Sequence, residues 1–286
     1  MRTKFTPMDE VVPEYQWHSD ASLIMGNKFS TQVANPFDNG NYELWLFDRA
    51  SSFWNLYMRT GALKWLRTAH KASQFYANGI NEKGEFAFNP SYPKLMYCYG
   101  TPLMIDIMLT GDVALEDQIL NIAEFGVERN FELTDSRTSL WTERGLAYWL
   151  LSALTAYEVT GEEVYKNRVI YRFESAYNRN SDGVMLHQMG LHEIGGLSND
   201  DRLSQPIISP WMSALLSEAI WRYYLQSEDT RALQFIAGMG EHVAEHCLYE
   251  VVPGFGGISS SSSIIGQTQP AYLWSCLLYT SPSPRD

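Results

Sequence analysis

A Thr-Gly dipeptide recurs at a fixed interval along this chain and limits the folds open to it. The dipeptide occurs at Thr60–Gly61, Thr110–Gly111 and Thr160–Gly161, so the copies are fifty residues apart. Each copy joins two segments in which apolar residues recur at helical spacing. Repeats of this length are typical of stacked supersecondary units that bury a shared core. The chain is therefore predicted to be a stack of helical hairpins.

The two halves of a hairpin differ in how their charges are distributed. In the third hairpin, the segment Trp141–Val159 is apolar on nearly all sides and should be buried on every side. The segment after Gly161 has one apolar stripe and one charged face. The stripe is predicted to contain Tyr165, Val169, Ile170, Phe173 and Tyr177, and the solvated face Glu163, Lys166, Arg168, Arg172 and Glu174.

The first and second hairpins show the same pairing. In the first, a densely apolar segment, Leu44–Met58, precedes a helix whose predicted stripe is formed by Leu63, Leu66, Ala69 and Phe75. In the second, Pro102 restricts the inner helix to about Pro102–Leu109, or kinks a longer helix that begins near Lys94.

A fourth hairpin has a different link. Its apolar segment is Trp211–Leu225, and Ser227–Asp229 replaces the Thr-Gly dipeptide before a helix that ends near Cys247. A fifth inner helix is predicted to begin near Gln269. The repeat is therefore incomplete, with about four hairpins and the start of a fifth.

Buried helices that alternate with amphipathic helices are what two concentric rings require. Each inner helix contacts neighbours on all sides, and each outer helix covers a gap between them. Burying one Leu contributes roughly 1.5–3 kcal/mol, so an all-apolar helix on the outside would lose several times that amount. The predicted fold class is therefore all-α, an (α/α) toroid of helical hairpins.

Charge and composition exclude several classes of function. The 286 residues carry 33 acidic and 21 basic side chains, which gives a formal net charge of -12. A phosphate backbone is an unfavourable ligand for such a chain, so no nucleic-acid partner is expected. No run of eighteen apolar residues occurs, so no membrane span is expected. Cys98, Cys247 and Cys276 lack zinc-type spacing, and we predict no cofactor or metal.

The two ends of the chain differ from the repeats. Residues 1–41 are expected to be an extended or loop segment without a signal peptide, and residues 42–275 form the predicted toroid domain. The last eleven residues, CLLYTSPSPRD, match the translation of a transposase-type sequencing adapter in order. Residues 276–286 are therefore expected to be non-native, with a natural Ser/Pro-rich tail as the alternative. The compartment is left open, because a complete gene could encode a secreted or periplasmic protein.

The hairpin links and one inner helix resemble those of a known superfamily. The links YMRTG, IMLTGD and YEVTGE, with WTERGLAYWLL, resemble the six-hairpin glycosidase-like (α/α) toroids over about Tyr42–Ser275. The resemblance implies a carbohydrate-active enzyme, a glycoside hydrolase or polysaccharide lyase, with an oligo- or polysaccharide as its partner. The same toroid also serves sugar epimerases and terpene cyclases, so function must be argued from the site. A sugar epimerase-like barrel and a non-catalytic binding or scaffold domain are the alternatives.

The long connections of the predicted fold all lie at one end. Links within a hairpin are two or three residues long, whereas the connections between hairpins span about 80–96, 130–140, 179–209 and 249–269. Long loops in compact domains are often functional. The N-termini of the inner helices share this end, and their free N–H groups favour partly negative ligands such as uronates. A substrate cleft is predicted there.

Aromatic residues are concentrated near the starts of inner helices. They are Tyr97, Tyr99, Trp141 and Trp211. Flat rings in a cleft suit the C–H faces of sugars, so these residues are predicted to bind substrate. The alternative is that the rings close the core beneath the loops.

Two charged residues begin the third inner helix. Glu143 is predicted to be a general acid or base, and Arg144 to bind a substrate carboxylate or sulfate. The alternative is that Glu143 only complements the helix dipole while Arg144 pairs with a neighbour.

The fourth long loop has the densest cluster of titratable groups. Its candidate residues are His187, His192, Asp200 and Asp201. Either aspartate could form a hydrolase carboxyl pair with Glu143. A lyase would instead use His192 or Tyr99 as base, with Arg144 neutralising a uronate carboxylate. Metal ligation through the two histidines and a solvated surface loop are the alternatives.

Asp48 and Arg49 interrupt the apolar first inner helix. They are expected to lie within that helix, paired as a structural ion pair or facing the central axis.

Overall fold

The computed structural model describes residues 16–30, 48–86, 99–128, 142–179 and 210–246, and five short strands between residues 188 and 263. The helices in these ranges are α1 Gln16–Ser30, α2 Arg49–Thr60, α3 Leu63–Ala77, α4 Thr101–Thr110, α5 Glu116–Glu128, α6 Thr142–Thr160, α7 Glu163–Arg179, α8 Pro210–Ser227 and α9 Thr230–His246. The all-helical prediction is confirmed for these ranges. None of the helices described is long and apolar enough to cross a membrane.

The short strands lie in stretches that the sequence predicts to be long connections. Antiparallel pairing joins β1 Gln188–Met189, β2 Pro206–Ile208 and β5 Ser262–Ser263 in the order β1-β2-β5. The strands β3 Leu248–Val252 and β4 Phe255–Ile258 form a separate antiparallel pair. These connections therefore contain local sheet structure that helical periodicity does not predict.

The chain divides into two compact units. The first unit contains α1–α5 and the last turn of α6, with Gly161 after it. The second contains the rest of α6 and α7–α9.

The three Thr-Gly links have one geometry. Each threonine hydroxyl donates to the carbonyl four residues earlier, at 2.6 Å for Thr60, 2.7 Å for Thr110 and 2.9 Å for Thr160. Each following glycine is left-handed, with φ between 64° and 77°, and its N–H bonds the carbonyl four residues back at 2.8 Å. The left-handed conformation ends the helix. Glycine is favoured at this position because residues with a Cβ adopt that conformation only at a cost.

The fourth link has the same geometry without glycine. Ser227 Oγ donates to the Tyr223 carbonyl at 2.9 Å, and Glu228 takes the left-handed position with φ 57°. The Glu228 N–H bonds the Tyr224 carbonyl at 2.8 Å, as the glycines do in the other links. The predicted fourth hairpin is therefore confirmed, with backbone strain at Glu228.

Burial confirms that the middle of α6 is enclosed on all sides and corrects two predicted stripes. In α6, all residues from Leu146 to Leu150 are buried. In α7, Ile170 is 39% exposed, whereas Arg172, predicted on the solvated face, is buried. Arg172 is buried because its guanidinium has acceptors inside, as described below. In α3, Leu63 is 60% exposed because it lies at the hairpin turn, and the buried stripe shares only Ala69 with the predicted one. That stripe consists of Trp65, Ala69, Ala72 and Tyr76.

In each unit, one helix contacts two others through side chains. In the first, Ser73 of α3 accepts a hydrogen bond from Trp54 Nε1 of α2 at 2.9 Å and donates to the Pro102 carbonyl of α4 at 3.3 Å. In the second, Arg172 of α7 donates to the Trp149 carbonyl of α6. The next residue of α7, Phe173, stacks on Tyr223 of α8 with ring centroids 4.2 Å apart. Helices α3 and α7 thus occupy equivalent positions.

Helix α1 corrects the prediction of an extended segment over residues 1–41. A Cβ added at Gly26 would overlap Leu56 and lie 3.0 Å from the Trp65 ring, so α1 packs closely on the first hairpin. Arg59 Nη2 also donates to Ser19 Oγ at 2.7 Å. Helix α1 therefore depends on contacts with residues far along the chain, which local patterns do not reveal.

Candidate active site

Glu143 lies where the sequence predicts it, in the first turn of α6. Its side chain is fully buried, and the turns that follow contain buried Leu146, Ala147 and Leu150. Burying a carboxyl is costly unless polar groups or charges compensate, and the helix N-terminus favours a negative charge at this position. A carboxyl withdrawn from bulk water at a helix start has the features of an acid–base group.

Tyr99 lies just before α4 and is buried, with 4% of its surface exposed. Its backbone N–H donates to the Tyr76 hydroxyl at 2.6 Å, and the two rings pack with centroids 5.8 Å apart. Tyr76 also stacks on Phe86 at 5.1 Å. The described contacts of the Tyr99 ring are those of a residue that closes the core, which was the alternative to a substrate contact.

The structure leaves most of the remaining predicted site residues untested. Arg144 and Trp211 fall in the first turns of α6 and α8, as predicted, but their side chains lie outside the described residues. The others that lie outside the described residues are Tyr97, Trp141, His187, His192, Asp200 and Asp201.

The structure corrects the expectation that Asp48 lies within the first inner helix. Asp48 precedes α2 as its N-cap, with φ 47° and ψ 59°, and its carboxylate accepts the Ser51 N–H at 3.1 Å. Aspartate is favoured at the N-cap because its carboxylate accepts a backbone N–H of the first turn that has no acceptor within the helix. Arg49 is buried, and this burial lowers its pKa to about 10. Its guanidinium lies 5.8 Å from the centre of the Phe53 ring.

A histidine–aspartate pair that the sequence did not single out links α3 to α4. His70 Nδ1 lies 2.9 Å from Asp106 Oδ1 and 3.1 Å from Oδ2. Burial raises the pKa of the Asp106 carboxyl, although the hydrogen bond and charge from His70 oppose that shift. Thr110 Oγ1 lies 3.1 Å from Asp106 Oδ1. The available signal was Asp106 itself, the single charge in TPLMIDIMLT.

The described residues form no cluster of three or more His, Cys, Asp or Glu side chains that could hold a metal ion. The alternative metal site at His187 and His192 lies outside those residues.

No protein-family model, curated protein or solved structure matches this chain.

Proposed function

We propose that the chain is an (α/α) toroid of helical hairpins from a carbohydrate-active enzyme. In this arrangement α2, α4, α6 and α8 form the inner ring. Three contacts support it. Ser73 joins α3 to both α2 and α4. A Cβ at Gly100, before α4, would lie 3.0 Å from Thr155 of α6, so these two inner helices approach closely. Helix α7 contacts α6 through Arg172 and α8 through Phe173.

The fully buried carboxyl of Glu143 is the observation that carries the proposed activity. It lies at the N-terminal end of an inner helix, the end at which the long connections of the toroid would meet. Glu143 would exchange a proton with the substrate there, as the acid of a glycoside hydrolase or the base of a polysaccharide lyase. Arg144, adjacent in the same turn, would pair with an acidic substituent of the sugar.

The two reactions give different products from the same polymer. Hydrolysis of a glycosidic bond produces a new reducing end and no new double bond. A lyase removes the proton alpha to a uronate carboxylate and produces an unsaturated sugar that absorbs ultraviolet light. Parallel assays of reducing ends and ultraviolet absorbance on uronate polymers and neutral glucans therefore separate them.

Glu143→Gln is the decisive variant, and Glu163→Gln is its matched control. Glu163 occupies the first turn of α7 as Glu143 does in α6, but it is exposed. We expect turnover to fall by about 10²–10⁴ for Glu143→Gln, because general acid–base catalysis contributes that much. Glu163→Gln should leave it unchanged. Unchanged turnover in Glu143→Gln, with a folded circular dichroism spectrum, would remove Glu143 from the mechanism.

The packing of Tyr99 supports a second candidate, a non-catalytic toroid that binds glycans or other proteins. A Tyr99 ring packed in the core with Tyr76 contributes no open stacking face to a cleft. Calorimetric titration of the same polymers distinguishes the two. Heat of binding without turnover favours the binding domain. The absence of both binding and turnover would contradict a carbohydrate function.

A further inference from the structure

The His70–Asp106 pair has one buried member and one accessible member. The Asp106 side chain is 0% exposed, whereas 42% of the His70 side chain is exposed. The edge of the imidazole that carries Nδ1 faces the buried carboxylate, since both carboxylate oxygens lie within 3.1 Å of that nitrogen. Nε2 lies on the opposite edge of the ring and points away from that carboxylate.

The pairing fixes the tautomer of the neutral ring. A carboxylate accepts hydrogen bonds, so Nδ1 carries the proton and the lone pair lies on Nε2. None of the described residues forms a hydrogen bond with Nε2. In the neutral ring, the lone pair on Nε2 therefore points away from Asp106.

The buried carboxylate also lies where it can offset the charge of a ring substituted at Nε2. A ring nitrogen that forms a new bond makes the imidazole positively charged, and a carboxylate held against the other nitrogen offsets that charge. Asp106 is held in place by Thr110 Oγ1, 3.1 Å from Oδ1. Arg67, exposed three residues before His70 on α3, adds positive charge that favours an anionic reagent.

We propose that His70 is a modification site whose Nε2 accepts a phosphoryl group from a small anionic donor of the phosphoramidate class. The Nε2 lone pair forms the new N–P bond. The nitrogen of the donor is already protonated in its zwitterionic form, so when the P–N bond breaks, its electron pair leaves with neutral ammonia. Nδ1 keeps its proton and its hydrogen bond to Asp106, so the carboxylate pairs with the substituted ring.

The test is to incubate the whole chain with phosphoramidate and to locate phosphohistidine by mass spectrometry at neutral pH. The chain has six histidines, so the other five serve as internal comparators. We expect His70 to react about ten-fold faster than the others, and Asp106→Asn to remove about that advantage, as loss of a partner that orients a histidine typically does.

Asp112→Asn is the matched control. The negative charge of Asp112 acts on Asp106, but Asp112 accepts a hydrogen bond from Gln74 and none from His70. This variant should leave the rate at His70 unchanged. Equal reactivity of all six histidines in the unaltered chain, a measurement that needs no variant to fold, would overturn the proposal. An unchanged rate in a folded Asp106→Asn variant would overturn it as well.

Discussion

Alanine substitutions at Gly84 and Gly161 should differ sharply in their effect on stability, although the two glycines share a backbone conformation. Their φ angles are +75° and +70°, and both belong to the same compact unit. A Cβ at Gly161 would have nothing within 4 Å. A Cβ at Gly84 would lie 2.5 Å from the Asn121 carbonyl carbon, closer still to its oxygen, and 2.8 Å from Phe125 Cβ. The pair therefore separates backbone strain from steric overlap.

The magnitude at Gly161 follows from the backbone alone. A left-handed residue with a Cβ costs roughly 1–2 kcal/mol. Alanine also restricts the unfolded chain, which returns about 0.4–1 kcal/mol. The net loss expected for Gly161→Ala is therefore about 1 kcal/mol.

Gly84→Ala has the same backbone cost and a further steric cost. The loop must move away from α5, since the overlap is with main-chain atoms that cannot rotate aside. Overpacking of this kind typically costs about 1–3 kcal/mol. The expected total is therefore about 2–4 kcal/mol. The displaced loop would also lose the Asn81 Oδ1 hydrogen bonds to the Lys83 and Glu85 N–H groups, at 3.0 and 2.9 Å.

Urea unfolding followed by far-ultraviolet circular dichroism and by tryptophan fluorescence measures both losses. The nine tryptophans report on the whole chain and include Trp54 and Trp65, which are buried in the first unit. Equal losses for the two variants would refute the close packing of Gly84 on Asn121. A loss above about 3 kcal/mol for Gly161→Ala would refute the account of its open, left-handed cap.

Three further predictions concern charged residues. Glu228→Gly should raise the free energy of unfolding by about 0.5–1 kcal/mol in urea titrations, because glycine relieves the left-handed strain; a loss of stability would contradict this. Melting temperature against pH should separate two aspartates. Asp106, whose pKa is raised by burial, costs stability as pH rises above about 4, so Asp106→Asn should remove that decline. Asp229, whose pKa is lowered by hydrogen bonds from an arginine, contributes stability that is lost as pH falls below about 4, so Asp229→Asn should flatten the acid limb. Arg172→Met should lower the free energy of unfolding by about 2–4 kcal/mol, because two buried acceptors lose their charged donor. Arg168→Met on the same helix should change it little. Equal effects of the two substitutions would refute the burial of Arg172.

The hairpins were predictable because their links are local. A threonine hydroxyl that bonds the carbonyl four residues earlier, followed by a left-handed glycine, is fully specified within one turn of helix. The same locality explains the fourth hairpin, in which Ser227 replaces the threonine. The proline of α4 was informative for a similar reason, since it fits only the first turn of a helix. The shorter of the two predicted ranges for that inner helix proved correct.

The errors arose where a distant contact decides the position of a side chain. Periodicity treats arginine as polar and isoleucine as apolar, so it placed Arg172 outside and Ile170 inside. The structure reverses both, because Arg172 Nη1 finds the Trp149 carbonyl and Ser152 Oγ within α6. Its guanidinium also lies 4.6 Å from the Trp149 ring centre. No pattern within α7 contains that information.

The candidate site shows the same division. Its position at the start of α6 followed from sequence, because helix boundaries are local, and Glu143 is the first acidic residue of that helix. The complete burial of Glu143 depends on packing and was not predictable. Thirty-six residues separate His70 from Asp106, and only the packing of α3 against α4 joins them. A lone charge in an apolar helix was the one trace of that pair in the sequence.

Polar contacts between helices also answer a question that apolar stripes leave open. A stripe with helical periodicity can shift by one turn, about 5.4 Å, and still bury apolar side chains. A hydrogen bond from Trp54 Nε1 to Ser73, continued to the Pro102 carbonyl, tolerates no such shift, because a buried N–H without an acceptor costs about 1–3 kcal/mol. Ser73→Ala should therefore loosen the register of α3 between α2 and α4 more than its lost volume would, and hydrogen exchange in these three helices would report it. These hydrogen bonds hold α3 in register, and its apolar stripe contributes the packing energy.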